Sequence, residues 1–173
     1  MNTKARALES GLKGLVGRRC IGVAAGWGSY LGIDFEPRFP RLRPVGNPHL
    51  PPTLRKYIGE ISLFVTGAAW RLTSSGAISV GSLDRLRLPA VQTSIRKIEG
   101  RRVRLVAVAQ PGWVLRVEFD RGLTFEVFPV ASRFDKEGDN YTCLLPTKSI
   151  AVLGGGRVDV EESNRWRAWR NHP

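Results

Sequence analysis

Gly17-Arg18-Arg19-Cys20-Ile21-Gly22-Val23-Ala24-Ala25 is answered 83 positions later by Gly100-Arg101-Arg102-Val103-Arg104-Leu105-Val106-Ala107-Val108. In each stretch a glycine and an arginine pair lead into a short apolar run of β character. The match extends upstream, where Leu8, Leu12, Leu15 and Gly17 recur as Val91, Ile95, Ile98 and Gly100. A spacing of four then three places these side chains on one face of a helix. The glycine that follows suits the helix end, because it accepts the left-handed conformation without a Cβ clash. Pro89 fits the first turn of the second helix, where a missing N–H costs little.

Downstream, each run enters a loop, Gly26-Trp27-Gly28-Ser29 in the first copy and Gln110-Pro111-Gly112-Trp113 in the second. Alternation follows in both. Leu31, Ile33 and Phe35 are interleaved with Gly32, Asp34 and Glu36, and Leu115, Val117 and Phe119 with Arg116, Glu118 and Asp120. Period two predicts strands with one buried and one wet face. The copies then part. The first enters Pro37 to Pro52, which holds six of the eleven prolines together with Arg38, Arg41 and Arg43, and predicts an extended surface loop. The second turns at Asp120-Arg121-Gly122 and continues as a hairpin strand over 123–130. Further strands are expected at 60–66, 68–72, 78–80, 141–145, 149–153 and 157–160.

The expected architecture is therefore α+β and strand-dominated: two helix-plus-antiparallel-strand repeats related by a pseudo-twofold. Residues 1–84 form the first repeat and 85–162 the second. Residues 163–173 form a basic aromatic tail, and the whole makes one compact unit.

Charge narrows the function classes. The chain has 27 Lys and Arg against 15 Asp and Glu, a formal +12. Arginine dominates, which favours planar, bidentate contacts to carboxylate or phosphate. An acidic protein or a nucleic acid is the expected partner class. The two cysteines, Cys20 and Cys143, form neither a CxxC nor a Cys/His cluster, so no disulfide framework or structural zinc is expected. Residues 1–19 carry charges throughout and do not read as a secretory signal. No apolar run of membrane-spanning length occurs, and a cytoplasmic location is the expectation.

Nothing marks a catalytic set. His49 and His172 are the only histidines, and neither has a ligand-type neighbour in sequence. No G-x-S-x-G is present, and the glycine clusters lack phosphate-loop spacing. The carboxylate pairs Asp34/Glu36 and Glu118/Asp120 would be the only route to a hydrolase. They fall on the expected wet faces of strands, so a carboxylate-dependent hydrolase is the third choice and no cofactor is expected. The positive signals are basic and aromatic. Arg165, Trp166, Arg167, Trp169 and Arg170 interleave in the tail, a composition able to stack on bases, grip phosphates or anchor a protein interface. Trp27 and Trp113, at equivalent loops, are expected as paired packing plugs or paired contact residues. Together with Arg38, Arg41 and Arg43 these make up the candidate partner-binding residues.

Three motifs carry a resemblance: Leu15-Val16-Gly17-Arg18-Arg19-Cys20 with its second copy, the L-x-[IV]-[DE]-F strands at 31–35 and 115–119, and Phe64-Val65-Thr66-Gly67-Ala68-Ala69-Trp70-Arg71-Leu72. On these the chain resembles a loose class of small two-repeat, β-rich bacterial proteins of immunity-protein type. The resemblance implies a non-enzymatic, protein-binding role, such as toxin neutralisation or an accessory function. It carries over no catalytic residue. The strong basic charge departs from that class and would suit an acidic toxin surface. Nucleic-acid binding through an Arg/Trp surface is the alternative.

Overall fold

The computed structural model describes residues 3–129 and 138–163. The elements run α1 (Thr3–Lys13), β1 (Cys20–Ala25), β2 (Leu31–Pro40), α2 (Pro52–Lys56), β3 (Tyr57–Val65), β4 (Ala69–Ser74) and β5 (Ala77–Gly81). They continue with α3 (Leu88–Ile95), β6 (Val103–Ala109), β7 (Val114–Phe119), β8 (Leu123–Phe128), β9 (Asp139–Leu144), β10 (Lys148–Leu153) and β11 (Val158–Glu162). The fold is strand-dominated α+β with two antiparallel sheets. One has the order β1-β2-β3-β9-β10-β11 and the other β5-β4-β8-β7-β6.

Both halves of the chain contribute to both sheets. β3 pairs with β9, with Leu63 opposite Cys143, and β4 pairs with β8, with Leu72 opposite Phe125. The edge strands β1 and β6 meet at a short seam, where Arg19 and Arg102 form an isolated antiparallel bridge. Four backbone bonds close it: Gly17 N–H to Val103 O (2.9 Å), Val103 N–H to Arg18 O (2.8 Å), Cys20 N–H to Arg101 O (2.9 Å) and Gly100 N–H to Cys20 O (2.8 Å). The helices cover the remaining edges. α1 lies against β6 and β11, and α3 against β1 and β5. Each helix thus bridges an edge strand of one sheet to an edge strand of the other, which protects unpaired strand edges from foreign pairing. Glu99 and Gln92 add to this at β1. Glu99 Oε1 accepts the Val23 N–H at 3.4 Å, and Gln92 Nε2 donates to the Ala25 carbonyl at 3.1 Å.

A single apolar core joins the two sheets and the helices. Leu8, Leu12 and Leu15 from the first helical segment meet Ile95 and Ile98 from the second, with Phe35, Leu63, Phe125, Tyr141 and Ile150 from the strands. Each fully buried aliphatic side chain contributes about 1.5–3 kcal/mol relative to exposure. α1 itself ends at Lys13, so Leu15 reaches the core from the turn that follows the helix. Trp70 is buried and donates Nε1–H to the Ser29 carbonyl at 2.9 Å.

Two expectations about the first half are corrected. The segment 37–52 is not wholly an extended surface loop. β2 continues to Pro40, with Arg38 opposite Gly59 and Pro40 opposite Tyr57, and the ladder shifts register between Phe35 and Arg38. A proline that cannot donate to a ladder is tolerated at such an irregularity and at a strand end. α2 then starts at Pro52 and buries Leu54. The second correction concerns β2 itself. Leu31 to Phe35 are buried on both faces, and Asp34 is only 5% exposed. The cover comes from Phe64 over Gly32 and from Leu54 over the neighbouring β1. Leu54 Cδ2 would stand 2.7 Å from a Cβ on Gly22, the residue opposite Asp34 in the ladder. β7, without such a cover, keeps the expected alternation.

Candidate functional site

The segment 37–57 holds Arg38, Arg41, Arg43, Arg55 and Lys56 and no carboxylate. Its arginines have different fates. Arg41 braces the segment: its Nε donates to the carbonyls of Leu54 (2.8 Å) and Tyr57 (3.2 Å). Arg38 stacks over the Tyr57 ring at 4.7 Å. Arg38, Arg43 and Arg55 form no ion pair among the described residues. The other sheet contrasts with this. Arg71 and Arg116 flank Glu126 in register, with Arg71 Nε 2.7 Å from its carboxylate, and Glu118 pairs with Arg116 at 2.9 Å. That face is largely neutralised, while the face around 37–57 is not.

Two hollows open beside α2. The larger, an open groove of about 840 Å³, is lined by Arg18, Arg19 and Arg38, with Glu36, Thr53 and the seam glycines. Arg18 is committed to structure here. It meets Glu60 at 2.6 Å and also donates to the Glu36 carbonyl and, at 2.8 Å, to the Gly14 carbonyl. Arg19 reaches the Gly100 carbonyl at 3.2 Å, and Arg38 presents its stacked guanidinium at the rim. The smaller hollow, about 310 Å³ and more enclosed, lies between the proline-rich segment and α3, with Val23 and Ala24 of β1 in its lining. The two abut β1 on either side of Gly22, where Leu54 closes down.

Cys20 also lines the larger groove, yet its thiol is not a nucleophile. Burial pushes its pKa far above the ordinary thiol value. A backbone hydrogen bond with Gly22 opposes this, and the nearby carboxylates of Glu99 and Asp34 add to the rise. A thiol held neutral is inert.

The structure separates the two loop tryptophans. Trp27 is 87% exposed, whereas Trp113 is 8% exposed and anchored by its Nε1–H to the Gly156 carbonyl at 2.8 Å. They form neither paired plugs nor paired contacts. Trp27 lies in the loop between β1 and β2 and lines neither hollow. Arg165, Trp166, Arg167, Trp169 and Arg170 lie outside the described residues.

The carboxylate pairs are dispersed. Asp34 is buried and accepts the Ser62 hydroxyl at 2.5 Å, so the expectation of a solvated Asp34 does not hold. Glu118 lies on the other sheet, paired with Arg116. Neither of these carboxylates lines the two hollows. Among the described residues, no group of three or more His, Cys, Asp or Glu is placed to hold a metal ion. Nor, among the described residues, is any helix long and apolar enough to cross a membrane.

Sequence reasoning singled out Arg38 and Arg43 but not Arg19, Arg55 or Arg96. The last two reach one hollow from elements some forty positions apart (55 and 96), and no local pattern announces that. For Arg19 a signal existed, the repeated arginine pair, although it pointed first to packing. No known protein family, no curated protein and no solved structure matches the chain.

Proposed function

We propose that the chain is a non-enzymatic binding module whose partner is an acidic protein surface. The observation that carries this reading is the uncompensated positive face of residues 37–57. Five basic residues stand there without a carboxylate, and Arg38 and Arg43 are free of ion pairs among the described residues. Arginines held by stacking or a rigid backbone lose little freedom on gripping a carboxylate, which favours their use at interfaces. Toxin neutralisation by an immunity-type or accessory protein is the specific form of this reading. We further take the scaffold to be two copies of one unit related by a pseudo-twofold. The reciprocal seam bonds and the matching helix-over-edge arrangement support that relation. On this view the binding face was inserted into the first copy only, where the second has a tight turn.

Affinity capture from the native host at physiological salt should recover an acidic protein in stoichiometric amount. Arg38→Gln with Arg43→Gln should release it while leaving the melting temperature unchanged. Recovery of nothing, or retention by the double variant, would overturn the reading.

Nucleic-acid binding is the second reading, favoured by the exposed ring of Trp27 together with the formal charge of +12. It predicts binding to labelled single strands that weakens steeply with salt and is lost in Trp27→Ala.

A further inference from the structure

The smaller hollow differs from the larger in having no Asp or Glu in its lining. His49, Arg55 and Arg96 come to it from the proline-rich segment, α2 and the C-terminal end of α3. Its walls are stiff. Pro48, Pro51, Pro52 and Pro89 contribute to them, and each has a fixed φ. The Arg55 backbone is tied on both sides, its N–H to the Pro51 carbonyl at 3.1 Å and its carbonyl to the Val45 N–H at 3.0 Å. Arg55 makes no ion pair among the described residues. Arg96 pairs with Glu99 Oε2 at 3.2 Å, while the other oxygen of that carboxylate accepts the Val23 N–H at 3.4 Å.

We propose that this hollow binds a phosphate monoester. Guanidinium groups arriving from two walls suit a tetrahedral dianion, which accepts hydrogen bonds on several sides, better than a carboxylate with its single planar edge. The proline rings offer flat apolar surface to the body of the ligand. The volume stands at the lower end of the range for small-molecule clefts, about 300–1,000 Å³, which limits that body to roughly the size of a nucleoside. The ligand could be a free organic phosphate or the 5′-phosphate end of a nucleic acid, since both present the same group. The site shares Arg55 with the basic segment 37–57, but it neither requires nor excludes the acidic-protein reading.

The full chain would be titrated by calorimetry and by amide NMR at physiological salt, about 0.15 M. The probes are inorganic phosphate, a nucleoside monophosphate, a 5′-phosphorylated oligonucleotide and its unphosphorylated twin. Saturable binding is expected for the phosphate monoesters, with amide shifts at Val23 and Ala24. Arg55→Gln and Arg96→Gln should each weaken it by about tenfold, a single charge-assisted contact. Arg55→Lys should retain part of the affinity, and Arg104→Gln, an exposed arginine on β6, should change it less than about twofold. A tighter oligonucleotide than mononucleotide would assign the site to strand ends, and the reverse to a free metabolite. No saturable binding, equal losses in all three Gln variants, or equal affinity for the unphosphorylated twin would overturn the proposal.

Discussion

Arg19 and Arg102 oppose one another across a single antiparallel bridge, and each caps the other's strand. The Arg19 guanidinium donates to the Gly100 carbonyl at 3.2 Å and the Arg102 guanidinium to the Gly17 carbonyl. Like charges directly opposite are destabilising, and the two outgoing bonds offset that repulsion. Arg19→Ala and Arg102→Ala should each cost about 0.5–1.5 kcal/mol. The double variant should cost more than the sum, because each single change relieves the same repulsion, which can be relieved only once. Urea unfolding of the four-member cycle measures this, and strict additivity would remove the repulsion from the account.

Leu54 tests the cover over β1. A Cβ on Gly22 would fall 2.7 Å from Leu54 Cγ, so Gly22→Ala must displace α2 or the strand. Overpacking of this kind costs about 1–3 kcal/mol. Leu54→Ala should itself destabilise, yet Gly22→Ala should be nearly harmless in that background. Thermal melts decide the point. Absence of this rescue would mean that Leu54 does not seat on β1.

Alkaline pH should weaken the fold. Burial raises the Cys143 thiol from 9.0 to about 12, and it raises the Tyr141 phenol further still. A group whose folded pKa is raised contributes its full stability below the unfolded pKa and loses it as pH climbs toward the folded value. The unfolding free energy should therefore be flat up to about pH 8.5 and decline from there toward pH 12. Cys143→Ala should shrink this decline. The same burial predicts that neither Cys20 nor Cys143, both free, reacts with a thiol reagent until the chain unfolds.

The tryptophans should behave as opposites. Trp113→Ala removes a buried indole and its bond to Gly156, and it also disturbs the backbone carbonyl that accepts the Tyr141 hydroxyl at 2.9 Å. Large-to-small changes of this type cost about 3–5 kcal/mol. Trp27→Ala should stay within about 0.5 kcal/mol, as exposed substitutions do. Comparable losses in the two variants would contradict the placement of Trp27.

Much of the fold was legible because its signals are local. β1 was bounded correctly at Cys20 and Ala25 by flanking glycines, and β7 showed its alternation because one face stays wet. β2 misled because its second face is covered from a distance, by Phe64 over Gly32 and by Leu54 over the neighbouring β1. Leu54 sits in a five-residue helix, too short to display a period, and the prolines around it mask its start. The candidate site was legible only in part for a related reason. Charge excess and the run of prolines can be counted along the chain. The meeting of Arg55 with Arg96, and the diversion of Arg41 into bracing, depend on tertiary placement.

The pairing of β3 with β9 has a consequence for biosynthesis. Leu63 finds its partner Cys143 only after 80 further residues have been made. At roughly 5–20 residues per second, translation leaves that strand edge waiting for several seconds or more. During that interval the nascent chain offers the ribosome's surroundings an apolar, hydrogen-bond-hungry border. Yield in the cell should therefore depend on elongation speed and chaperone supply at least as much as on the stability of the finished molecule.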